Sequence, residues 1–429
     1  MRNSKIFCRV AVVAGLLIAS HVHGDSGSTD PLKAGSTFKK TSAWSVFNAG
    51  SVDGLSTKGY FGEVFDGRYV YFVPCRELEF HGRMLRYDTK GDFNAASSYN
   101  AYDAGSTDGL KTIGYAGGVY DGSYVYYVPF CTSKFRHGRV LRYDPKGDFK
   151  TASSWSAYDA GVTDGLHTKG YVGGVYDGRY LYFAPFGYTP FGHGRVLRYD
   201  TKGDFKTASS WSAYNAGSTE GLNTQGYYGL TFDGQYVYFV PFHDGKSFHG
   251  RVLRYNTRGD FKTASSWSAY DASSTGGLNT KGYKMAVFDG HYVFFIPFRA
   301  DESRHCNVLR YDTKGDFKAA TSWTAYDAGT TDGLQTKGYV GAAFDKHFLY
   351  FVPYSGDEKE FHGTVLRHDS ASDFKATSSW SAYDASSTGG LKAKGYKGDA
   401  FDGRYIYFAP YHNGSSFHGM VLRFDTTGR

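Results

Sequence analysis

Residues 169–224 read KGYVGGVYDGRYLYFAPFGYTPFGHGRVLRYDTKGDFKTASSWSAYNAGSTEGLNT, and nearly all of the 429-residue chain is a copy of this stretch. Its Gly-Tyr landmark recurs at Tyr60, Tyr115, Tyr171, Tyr227, Tyr283, Tyr339 and Tyr396, seven copies spaced 55 to 57 residues apart. A fixed period in this range marks a repeat architecture and outranks any single motif.

Each copy holds four short runs of strand character, here residues 171–176, 179–186, 194–200 and 210–214. Asp177-Gly178 joins the first two, and Asp-Gly between aromatic and β-branched runs is a strong hairpin signal. The pair recurs at Asp66, Asp121, Asp233, Asp289 and Asp402, with Asp345-Lys346 the exception. Pro185 ends the aromatic second run, since proline cannot donate to a central ladder. No stretch has a helical period. Four antiparallel strands repeated seven times predict an all-β, seven-bladed propeller, with the glycine-rich first strand lining the channel.

The chain ends predict how the ring closes. The seventh copy stops after its third strand, and residues 41–48 (TSAWSVFN) supply the missing fourth strand ahead of the first landmark. Pairing the two ends removes an exposed sheet edge. Residues 1–24 read as a secretory signal peptide, with Arg2, Lys5 and Arg9 before a ten-residue apolar run too short for a membrane span. Residues 25–40 read as a flexible lead-in and 41–429 as the propeller. Once Cys8 leaves with the signal, Cys75, Cys131 and Cys306 remain. Cys75 and Cys131 lie in equivalent loops of neighbouring copies, which leaves one disulfide open to them in an oxidising compartment. Asn413-Gly414-Ser415 is a glycosylation sequon in a loop.

The net charge of +7 comes from 48 Lys and Arg against 41 Asp and Glu, scattered through the repeats without a basic stripe. That argues against nucleic acid as a partner. The loops joining strands two and three, and strand four to the next strand one, share a face of any propeller. Here that face carries His81, His137, His193, His249, His305, His362 and His418, one per copy, with Lys58, Lys169, Lys281, Lys337 and Lys394 before the landmark. These are the candidate ligand-binding residues. A structural reading competes for the histidines, each ring holding a backbone carbonyl at the loop base. One metal shared by seven histidines does not fit a four-to-six-ligand sphere, so no metal or cofactor is expected. Acidic residues at Asp53, Asp108, Asp164, Glu220 and Asp332 give way to Gly276 and Gly389 in two copies. The strand-three arginines from Arg86 to Arg423 are expected to be buried against a carboxylate such as the hairpin Asp. The fourth-strand Trp and Tyr are expected to cap the outer rim.

The glycine-rich inner strand, aromatic second strand, Val-Leu-Arg-Tyr-Asp run and a Trp about a dozen residues on resemble the kelch and related propeller families, over residue 41 to the end. That resemblance implies a fold and no activity.

No nucleophile elbow, His-Glu-x-x-His or Cys-x-x-Cys is present, so no catalytic residue is assigned and an enzyme is not the leading reading. Near-identical copies give equivalent sites, and equivalent weak sites gain avidity on a repetitive polymer. The sequence therefore points to a secreted, lectin-like binding protein for extracellular glycan or another repetitive polymer. A lyase or hydrolase with one axial site and a tyrosine-rich matrix protein are the alternatives.

Overall fold

In the computed structural model, residues 37–187, 192–357 and 360–427 are described; the expected signal peptide and nearly all of the lead-in lie outside them. Seven four-stranded antiparallel sheets follow one another around an axis. In the third blade the strands are Tyr171–Tyr176, Tyr180–Pro185, Arg195–Asp200 and Trp211–Asn215, within a residue or two of the sequence reading. The inner strands, from Tyr60–Phe65 to Tyr396–Phe401, each adjoin the next around the axis. Glycine is required where they converge. A Cβ on Gly398 would lie 2.5 Å from Gly62 Cα, and one on Gly62 2.9 Å from Gly117 Cα.

The hairpin turn sits one residue later than Asp-Gly suggests. Asp66 N–H donates to the Tyr69 carbonyl, so Gly67 and Arg68 form the loop. The Asp66 carboxylate accepts from the N–H groups of Arg68 and Tyr69 and from the Tyr71 hydroxyl at 2.7 to 2.8 Å. The hydroxyl bond recurs in five further blades, and the fifth carries Phe294 instead. Lys346 adopts a φ of 81° where the other copies use glycine.

The ring closes as the sequence predicts. Trp44–Asn48 pairs antiparallel with Met420–Asp425, from Trp44 opposite Phe424 to Asn48 opposite Met420. The closing segment begins earlier than expected, because Phe38 of the supposed lead-in is fully buried. Trp44 Nε1 donates to its carbonyl at 3.0 Å, as Trp155 does to Phe149 and Trp211 to Phe205. The motif Phe-Lys-x-x-x-x-Trp is thus complete in residues 38–44.

Two aromatic devices join each blade to the next. On the outer rim, each fourth-strand Trp stacks on the fourth-strand Tyr of the preceding blade, as in Trp155–Tyr102, Trp211–Tyr158 and Trp44–Tyr383, at 5.2 to 5.6 Å between centroids. These indoles are buried, so they serve packing. Nearer the core, each strand-three arginine lies between a ring of its own blade and the Phe of the next. Arg86 sits 4.2 Å from the Tyr69 centroid and 4.4 Å from Phe149, and Arg367 sits 4.3 Å from Phe348 and 4.4 Å from Phe38. This corrects the expected carboxylate partner. The hairpin Asp is occupied by its own turn, whereas two ring faces attract a guanidinium and tolerate its weak hydration.

Phe38 is therefore the last stone of the ring. Phe38→Ala is expected to destabilise the protein by about 3–5 kcal/mol, the range for a buried Phe truncation. Urea unfolding followed by tryptophan fluorescence measures it. A loss indistinguishable from that of an exposed surface variant would contradict this account of closure.

Candidate functional site

The seven histidines occupy equivalent places on the face expected, which is called upper here. Each Nε2 lies 2.8 to 2.9 Å from a backbone carbonyl: Lys58, Ile113, Lys169, Gln225, Lys281, Lys337 and Lys394 in blade order. Each Nδ1 accepts the N–H two residues on at 3.1 to 3.3 Å. An accepting Nδ1 fixes the neutral tautomer with its proton on Nε2. Both nitrogens are thus engaged by backbone, and the ring meets the landmark Tyr edge-on, as His193 does Tyr171. Burial pushes the rings down to about 3 at His81, His137, His193 and His249 and about 4 at His305, His362 and His418.

Lys58, Lys169, Lys281, Lys337 and Lys394 meet the histidines through their main-chain carbonyls, and their side chains are half-buried. Lys58 Nζ lies 3.7 Å from Glu77. The structure does not gather the histidines and lysines into one pocket; it spaces the pairs around the ring.

The acidic positions have an architectural use. Asp53, Asp108, Asp164, Glu220 and Asp332 adopt φ of 50° to 53° at the tips of the loops between blades. One carboxylate oxygen of each accepts from an outer-strand N–H, at Ala101, Ala157, Ala213, Ala269 and Ala382, at 2.8 Å. The same oxygen pairs with Lys150, Lys206, Lys262, Lys318 and Lys39 respectively. The outer strand is an exposed edge, and these acids occupy it.

Cys75, Cys131 and Cys306 are free thiols, and Cys131 Sγ donates to the Thr132 carbonyl at 2.8 Å. The Asn413 side chain accepts from the N–H groups of Ser415 and Ser416 in an upper-face loop.

On the opposite, lower face an open crevice separates the first two blades. It has a volume of about 600 Å³ and is lined by Asp66, Arg68, Tyr69, Arg86, Asp148 and Phe149. Its floor is the ring-bound guanidinium. Tyr69 and Arg86 are half-buried and Asp148 is exposed. The Tyr–Arg–Phe arrangement recurs at five further junctions: Arg142 with Tyr124 and Phe205, Arg198 with Tyr180 and Phe261, Arg254 with Tyr236 and Phe317, Arg310 with Tyr292 and Phe374, and Arg423 with Tyr405 and Phe93, all at 4.0 to 4.3 Å. The Asp before the Phe recurs at Asp204, Asp260, Asp316, Asp373 and Asp92. The junction closed by Phe38 differs, with Phe348 in place of Tyr and Thr37 in place of Asp. Sequence reading assigned these residues to packing alone. Their signal was the recurrence of Asp-Phe in six copies, preceded by Lys-Gly in four of them, with an arginine in every third strand.

No protein-family model matches the chain, and no curated protein does. Among solved structures, the chain is similar to the crystal structure of the computationally designed Ika8 protein, at 11% identity and a TM-score of 0.46 over 87% of this chain and 98% of that one. At that level the likeness says nothing of ligand or partner.

The histidines make stability depend on pH. Their folded values lie below the ordinary 6.5, so the unfolded chain takes up protons that the folded chain refuses, and stability present above pH 6.5 is lost as pH falls. With each unit worth about 1.4 kcal/mol per ring, seven rings should unfold the protein cooperatively at about pH 4–5. Near-UV circular dichroism against pH tests this, and a native signal persisting to about pH 3 would overturn it.

Proposed function

We propose that the protein is a secreted, multivalent carbohydrate-binding protein whose equivalent sites are the lower-face crevices between blades. The observation that supports this reading is the recurrence of one lining, Tyr–Arg–Phe with an exposed Asp, at six junctions of the ring. A guanidinium edge donates to neighbouring hydroxyls, a carboxylate accepts from them, and a half-buried Tyr offers an apolar face to sugar C–H groups. Each crevice is open and shallow, so each contact is weak. Six of them on one rigid ring engage a repetitive polymer together, and avidity then exceeds single-site affinity. The expected signal peptide fits an extracellular glycan as the partner.

A glycan array probed with the whole protein, followed by calorimetry with a short oligosaccharide from any hit, tests the reading. About six sites per chain are expected, since the junction at Phe38 lacks both Tyr and Asp. Asp148→Ala, Asp204→Ala and Asp260→Ala, combined, should halve that number and lower the melting temperature only modestly, because each exposed carboxylate gives up one bond from the N–H two residues on. One site per chain, no glycan bound, or a stoichiometry indifferent to the three substitutions would overturn the proposal.

A further inference from the structure

The seven copies differ most consequentially at one inner-strand position, directly after the landmark Tyr. It holds Phe61, Ala116, Val172, Tyr228, Lys284, Val340 and Lys397. The inner strands converge, so these seven side chains meet at the upper mouth of the channel. Around them stand the residues that follow each second-strand proline, among them Phe242, Phe298, Tyr354 and Tyr411.

Lys284 is 5% exposed inside this wreath. Its Nζ lies 3.6 Å from the Phe298 centroid, 4.6 Å from Tyr228, 5.6 Å from Tyr354 and 5.7 Å from Phe242. Among the described residues it has neither a hydrogen-bond acceptor nor a carboxylate. The charges facing it are cationic. Arg304 also lies over that ring, its Cζ 3.8 Å from the Phe298 centroid, and Lys397 Nζ lies 3.9 Å from the Tyr411 centroid and 4.8 Å from that of Tyr354. The buried carboxyls of the inner strands do not serve it. They stand two residues further down at Glu63 and Asp399, and both oxygens of Glu63 are without a hydrogen-bond partner.

A buried amine with no counter-ion is a poor structural choice, since an apolar side chain would fill the cage without desolvating a charge. It is a good chemical one. We propose that Lys284 is a nucleophilic amine that captures an anionic aldehyde or ketone at the upper axial mouth, with Lys397 and Arg304 holding the anion. In the capture, the amine nitrogen bonds the carbonyl carbon and the carbon–oxygen bond breaks. The two amine protons leave with that oxygen as water, and a C=N bond remains. Burial, together with the charges of Lys397 and Arg304, pushes Lys284 well below the ordinary lysine range, which raises the fraction of free amine. The aromatic wall keeps water from reversing the condensation. This site is single and asymmetric, and it stands independently of the crevices on the other face.

The test uses pyridoxal 5′-phosphate, an anionic aldehyde with a flat ring, as the probe. The whole protein is incubated with it near neutral pH, reduced with borohydride and mapped by mass spectrometry. About one equivalent is expected, on Lys284, ahead of the exposed lysines. Labelling should rise with pH through a midpoint below that of an ordinary lysine. Lys284→Met, which keeps the cage filled with an apolar chain, should fold and lose this label. Lys397→Met should retain Lys284 and weaken its labelling by about tenfold, through loss of the anion's counter-charge. Label spread over surface lysines with Lys284 unmodified, or labelling of Lys284 with an ordinary lysine midpoint, would overturn the proposal.

Discussion

A guanidinium held between two aromatic faces is the interaction on which the ring depends. Each blade buries both sheet faces only if its neighbours stay in place, and the strand-three arginine crosses every junction to keep them there. Such a contact is worth up to about 2 kcal/mol per desolvated face, and it repeats at all seven junctions. A carboxylate partner would have demanded desolvation of a second charge. Rings avoid that, and they explain why a chain of this length needs 38 Tyr and 34 Phe.

Most of the recurring polar residues complete the same architecture. The histidines pin the loop before each inner strand to the start of the third strand, with both ring nitrogens used. The loop-tip acids cover outer-strand N–H groups that would otherwise invite a foreign strand. Gly276 and Gly389 keep the left-handed backbone of that tip without the carboxylate, at φ of 59° and 58°. At Gly389 the reason is visible, since a Cβ there would lie 2.9 Å from the Val46 side chain. We find no comparable reason at Gly276.

Repetition and convergence give the two faces of the ring different chemistry. At the periphery the junctions lie far apart, so the recurring Tyr–Arg–Phe lining stays as separate, equivalent copies. At the axis the inner strands meet, and single-residue differences between copies become neighbours in one place. Lys284 and Lys397 are isolated substitutions when read along the chain. In the ring they face each other across an aromatic wreath.

The sequence by itself determined the strands, their number and the closure of the ring, because these follow from local signals: a fixed period, turn residues, nearly continuous aromatic and aliphatic runs and a split copy. It also held the upstream start of the closing segment, since residues 38–44 (FKKTSAW) align with 149–155 (FKTASSW), although composition alone reads that stretch as a lead-in. Only the tertiary structure decided what each arginine touches, where the crevice beside Arg86 opens, and that Lys284 has no carboxylate beside it among the described residues. Those facts depend on which residues of different copies become neighbours. Blade packing and the convergence of the inner strands set that adjacency, and a linear period does not encode it.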